Sequence, residues 1–223
     1  MIGNPAKIQR VKRKTVSLQI KTDGSLLVKA PLQTSDAYIA GLIDKKKKWI
    51  DKTRKLLLKQ KQETPINKFA SGEFFYFLGR KYILQISNQI KGLEFDQEYF
   101  LLAESSQVKA KKFFIIWYKK KAGSIIKERV EHYTKLLGLT YNQIRITSAF
   151  SRWGSCSWNK NLNFPFRLIM APIDIVDYVV LHEVCHLIES NHSSRFWKQV
   201  SSICPDYREK RKWLKKNGHR FTL

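Results

Sequence analysis

The 223-residue chain is long enough for one large unit or two smaller packed ones, and 43% hydrophobic against 27% charged residues excludes a disordered chain. Lys plus Arg number 42 against 18 Asp plus Glu, a formal charge of +24 that attracts polyanions without naming one. Three cysteines without a CxxC pair exclude a disulfide framework and fit a reducing, cytoplasmic setting. The opening MIGNPAKIQRVKRK has no apolar run behind its basic residues, so neither a signal peptide nor a membrane span is expected.

In chain order, Thr15 to Lys29 alternates apolar and polar residues around Asp23-Gly24, which predicts a β-hairpin. Thr34 or Ser35 caps a helix carrying Ile39, Leu42, Ile43 and Ile50 at helical spacing, with Lys45 to Lys48 on its outer face. Thr64-Pro65 ends it. A second β region follows in EFFYFLGRKYILQIS (Glu73 to Ser87), turning at Gly79-Arg80, and in EYFLLA (Glu98 to Ala103). A long helix is predicted from about Gln107 to Leu137, stopping at Gly138. QIRITSAF reads as a strand, and Asn159-Lys160-Asn161 as a turn between two more. Helices complete the chain, ending in the basic DYREKRKWLKKNGHR. The order is α+β. We expect a β-rich part with one helix over 1–105 and a catalytic part over 106–223.

Three of the five histidines fall in LHEVCHLIESNH (Leu181 to His192). Pro172 and Asp174 suit the start of a helix that we expect to run to about Glu189. His182 and His186 then share one face, about 6 Å apart along the axis, and can converge on one zinc ion. Glu183, one step round, can reach a water on that ion without ligating it. This is the HExxH arrangement of zinc hydrolases. A catalytic ion needs a third protein ligand and an open position. His192 supplies the ligand if the chain turns at Ser190-Asn191; Glu189, on the helical face, is the rival or an acceptor for a ligand imidazole. The spacing HExxHxxxxxH also occurs in metzincins, whose turn glycine is replaced here by Glu189. Arg152, Arg195 and Tyr178 are the candidate donors to an oxyanion.

RWGSCS (Arg152 to Ser157), LNFPFRLIMAP (Leu162 to Pro172) and DYVVLHEVCHLIESNHSSRFW (Asp177 to Trp197) together closely resemble the YgjP-like metallopeptidases, grouped with SprT-like and WLM zincins. The similarity is strongest from Ser151 to Lys215 and extends weakly to the opening hairpin. It implies a zincin-like core, Zn2+ held by His182, His186 and His192, and Glu183 as general base. It also implies a peptide lying along an edge strand near Arg152, Trp153 and Gly154, although Trp153 and Trp158 by themselves read first as core or turn aromatics.

The expected function is zinc-dependent peptide hydrolysis. One alternative is a protease acting on DNA-bound proteins, in keeping with the charge. Another is a nucleic-acid-binding protein with structural zinc, which three histidines and no cysteine cluster disfavour.

Overall fold

The computed structural model describes residues 6–21 and 23–223; the first five residues of the opening stretch, and Thr22 inside the predicted hairpin, lie outside them. Two compact units divide at Thr64–Pro65, not near residue 105. Four strands fall between Pro65 and residue 105, and the core they join places them in the second unit.

The first unit carries β1 (Lys7–Arg10), β2 (Ser17–Ile20) and β3 (Leu26–Ala30), in the order β1-β3-β2. β2 and β3 form the predicted antiparallel hairpin, while β1 adds in parallel to β3. The predicted helix is interrupted at Lys46, giving α1 (Asp36–Lys45) and α2 (Lys47–Glu63). Ser35 caps α1 by accepting the Tyr38 N–H at 3.3 Å. Leu26, Val28, Ala30, Ile39 and Ile50 form this unit's core.

The second unit holds a four-stranded sheet of β4 (Phe74–Phe77), β5 (Arg80–Ser87), β6 (Leu93–Phe95) and β7 (Tyr99–Ala103), ordered β4-β5-β7-β6. A 3-10 turn (Glu104–Lys109) leads into α3 (Ala110–Leu137), which ends at Gly138 in the left-handed conformation, φ 63°. The buried positions of α3 are Ala110, Phe114, Tyr118, Ala122, Ile126, Val130 and Thr134, every fourth residue. Such a row drifts by about 40° per step around a 3.6-residue helix. Successive parts of α3 therefore need different partners. Phe114 and Tyr118 pack against Phe75 and Phe100 of the sheet, and further along α3 meets β8 (Gln143–Thr147) and α4 (Ile173–Cys185). Among the described residues, no helix is long and apolar enough to cross a membrane.

A second sheet, ordered β8-β10-β9, adds β9 (Ser155–Cys156) and β10 (Asn161–Pro165) to β8, with β10 parallel to β8 and antiparallel to β9. A 3-10 turn (Phe166–Met170) then delivers the chain to α4. Nearly all of α4 is buried, as its all-round apolar sequence requires. Its polar Asp177 accepts two hydrogen bonds from Arg129 of α3, at 2.5 and 3.0 Å, which fixes the rotation of one helix against the other. α5 (Ser194–Ile203) and α6 (Tyr207–Asn217) follow.

The β4–β5 turn fixes the start of α4. Leu78 and Gly79 both adopt positive φ, and their N–H groups donate to the carbonyls of Ile169 and Met170. A Cβ on Gly79 would stand 2.8 Å from Cγ of Pro172, the residue that precedes α4. Gly79→Ala is expected to cost about 2 kcal/mol in urea unfolding, through both its φ and that clash. Gly123→Ala, mid-helix with open space around it, should instead be neutral or stabilising by up to about 1 kcal/mol. Equal effects of the two would show that Pro172 is not pressed by the turn.

Candidate active site

α4 ends at Cys185, not near Glu189 as its sequence predicts. His186 is still helical at φ −68°, ψ −13°, but tighter backbone bonds follow, from the N–H of Leu187 to Val184 and from that of Ile188 to Cys185. The early ending has a polar return. The Glu189 carbonyl, which can only accept, lies 2.9 Å from Nδ1 of His186. Nδ1 therefore donates, and the lone pair of His186 is left on Nε2. Glu189 thus meets His186 through its backbone, whereas a side-chain role was the expectation.

The chain then doubles back through Ser190-Asn191 to His192, and Ser193 caps α5 by accepting the Phe196 N–H at 3.3 Å. One potential ligand nitrogen from each of His182, His186 and His192 lies within 4.8 Å of the others. The closest pair, Nε2 of His182 and Nε2 of His192, is 3.0 Å apart. Tetrahedral ligands on an ion with 2.0–2.1 Å bonds sit about 3.3 Å apart, so small ring movements suffice. Phe196, fully buried, backs all three rings with centroid distances of 4.8, 4.4 and 4.9 Å. Trp197 stacks on His192 at 5.6 Å and on Tyr207 at 5.0 Å.

The donor set suits a cation. Burial, then the neighbouring His186 and His192, push the His182 imidazole down to about 3, so it is neutral and keeps a lone pair. His192 is also lowered, by burial first and then by His186 and Arg211. Nδ1 of His182 is buried and has no hydrogen-bond partner among the described residues. Among those residues no fourth His, Cys, Asp or Glu joins the group, and the thiols of Cys156, Cys185 and Cys204 lie outside it.

Glu183 is only 6% exposed, and burial pushes its carboxyl up to about 7 against the opposing Cys156 N–H and the charge of Arg152. Gly154 makes room for it. A Cβ there would stand 2.5 Å from both Cγ and Oε1 of Glu183. The close approach that Gly154 permits is thus to the glutamate of α4. Trp153 is clamped, with the Arg167 guanidinium 3.7 Å over its ring and Gly218 against its edge. Arg167, itself buried, donates to the carbonyls of Ala149 and Phe150, which ties the chain entering the RWGSC turn to the 3-10 turn that follows β10.

A cleft of about 620 Å³ opens over these groups. Of the predicted residues, Trp153, Gly154, Tyr178, His182, Glu183 and His192 line it. Arg152 is exposed at its margin, close enough for its charge to reach Glu183, and Arg195 is exposed without lining the cleft. The sequence reading missed Trp197, Arg211, Leu214 and Lys215, which also line it. Their only signal was the repeat of Tyr207, Arg211, Leu214 and Lys215 at helical spacing, which reads as an ordinary basic surface helix.

A model of the YgjP-like metallopeptidase domain matches residues 14–217. The chain belongs to this family. It is therefore a metallopeptidase, with a metal cofactor and protein or peptide substrates, and the resemblance carried by WGSC, the AP-terminated segment and HExxH is borne out. Among solved structures it is similar to the metallopeptidase zymogen of Pyrococcus abyssi abylysin, with 21% identity and a TM-score of 0.40 over 44% of this chain and 99% of that one. The zymogen of Methanocaldococcus jannaschii jannalysin gives 20% identity and a TM-score of 0.36 over 40% and 94%. No curated protein matches.

The buried carboxyl makes stability depend on pH. Unfolded, Glu183 loses its proton near 4.5; folded and metal-free, it keeps that proton to about 7. Raising the pH through this window therefore withdraws stability from the folded chain. Glu183→Gln cannot ionise, so it should gain on the parent chain by on the order of 2 kcal/mol at about pH 8, and by nothing near pH 4.5. Urea unfolding of chelator-treated protein measures this, and a difference that does not change with pH would rule out a raised carboxyl.

Proposed function

We propose that the chain is a zinc-dependent endopeptidase in which His182, His186 and His192 hold the ion and Glu183 is the general base. The observation that carries this reading is the convergence of three imidazoles, with ligand nitrogens within 4.8 Å of one another and two of the rings lining the cleft, beside a buried carboxyl seated on Gly154. Zinc, when bound, supplies a Lewis acid and lowers the pKa of coordinated water toward about 7. Glu183 accepts the proton of the attacking water and passes it to the leaving amine. Its seat on Gly154 holds the carboxyl beside the three rings, one helical step from His182.

Tyr178, 5% exposed, has its phenol pushed up to about 12 by burial, so it remains a hydrogen-bond donor at the cleft wall for the developing oxyanion. β9 is an edge strand, and an extended substrate can add alongside it at Trp153-Gly154, with Arg152 at the margin. A purely structural zinc would call for a fourth protein ligand, and three histidines beside a glutamate held free of ligation favour an open position instead. The exposed lysines 45–48 and 119–121 favour a second reading, in which substrates are met on a polyanion such as DNA. Binding to duplex DNA that is absent at low salt would remove it.

Glu183→Gln is expected to retain zinc and lose cleavage by at least about a thousandfold. His192→Ala should lose zinc in metal analysis after dialysis; unaltered content would transfer the third ligand elsewhere. Gly154→Ala should keep zinc yet lower kcat by about tenfold or more, because its methyl displaces the Glu183 carboxylate.

A further inference from the structure

α6 brings two cations to the cleft. Arg211 and Lys215 are four residues apart, hence on one helical face, and both line the cavity that holds His182 and Glu183. Arg211 is seated in a specific way. Its guanidinium lies 5.3 Å from the centroid of Trp197, the same indole that stacks on His192. His182, His192 and Tyr178 all feel its charge. Two arginines of the chain are spent on carboxylates, Arg129 on Asp177 and Arg10 on Asp36. Among the described residues, no carboxylate lies within ion-pair distance of Arg211. The one acidic residue lining the cleft is Glu183, and it is held on Gly154 and the Cys156 N–H.

An exposed guanidinium held on an aromatic ring presents a planar fork of donors that matches a carboxylate. Its order is supplied before the ligand arrives, which lowers the entropic cost of binding. We propose that Arg211, with Lys215 beside it, forms a carboxylate-binding subsite that selects peptides carrying an acidic group next to the scissile bond. This rests on the peptidase reading of the same cleft. The carboxylate can belong to an Asp or Glu side chain or to the substrate's C-terminus.

The test uses the zinc-loaded full chain and peptides with an amidated C-terminus, in which one Glu or Gln is placed in turn on each side of the scissile bond. A second pair, without acidic residues, differs only in a free or amidated C-terminus. A preference of about tenfold in kcat/KM for one carboxylate form is expected, lying mainly in KM. It should fall to about one in Arg211→Gln and turn into a preference for Lys over Glu in Arg211→Glu, an inversion that loss of packing alone does not produce. It should also weaken with salt, as an exposed charge pair does. A preference confined to the first pair assigns the side chain as ligand, and one confined to the second assigns the chain end.

No preference in either pair, or a preference untouched by Arg211→Gln, would overturn the subsite. Calorimetric binding of the same peptides to the Glu183→Gln chain separates the two readings. Carboxylate-dependent binding that is lost on adding Arg211→Gln, in a protein whose parent chain cleaves nothing, would keep the subsite and sink the peptidase mechanism. Cleavage without carboxylate dependence would do the reverse.

Discussion

One carboxylate, Glu183, has to be kept out of water beside three imidazoles, and much of the second unit is arranged around that constraint. An ionised carboxylate this buried costs several kcal/mol unless donors or a cation compensate it. The chain offers the Cys156 N–H, the nearby charge of Arg152, and three rings that can gather a cation one helical step away. Each comes from a different stretch of sequence. The WGSC turn and the HExxH helix are therefore two halves of one device, a sheet edge docked on a helix. Gly154 is required there by proximity, since its backbone is not in the left-handed region and only the absent side chain matters.

The third imidazole depends on the helix stopping. An unbroken helix would carry residue 192 about 9 Å past His186 along the axis. α4 instead ends at Cys185, and the Glu189 carbonyl accepts from Nδ1 of His186, so the bond that orients the second ring also shapes the turn that returns the third. The other end is fixed by Ser193, whose cap starts α5 so that its first turn sets Phe196 behind all three rings and Trp197 beside His192. The spacing of the three rings is thus set by a cap, a carbonyl and an aromatic floor.

What could be read in the sequence follows from how local each signal is. The hairpins at Gly24 and Gly79, the cap at Ser35 and the stop at Gly138 are written in a few adjacent residues, and all appear. His182 and His186 share a face because four residues make about one turn. The break at Lys46 has no proline or glycine to announce it. The division at Thr64–Pro65 was misplaced because β-rich composition does not say which core a strand joins. Arg167 over Trp153, and Phe196 behind the histidines, join residues from different elements into contacts that periodicity cannot express. Phe196 reads as core in either case; its second role appears only with the fold.

The charge excess illustrates the same limit. A total of +24 sets how strongly the chain draws polyanions at a distance, an effect that fades beyond a Debye length of about 8 Å at physiological salt. It does not say which cations act at contact. Lys45 to Lys48 and Lys119 to Lys121 are all exposed and do not line the cleft, although Lys121 also lies over an indole, that of Trp117 at 5.8 Å. Arg211 is exposed too, yet it rests on an indole that touches a candidate metal ligand. Both kinds count alike toward the net charge and share a similar sequence context, DYREKRKWLKKNGHR being about as lysine-rich as the helices that face solvent. The place of Trp197, stacked on both His192 and Tyr207, is what distinguishes the seat of Arg211. Among the described residues lining the cleft Glu183 is the one acidic group, and it is buried on Gly154, which leaves the exposed wall beside it cationic.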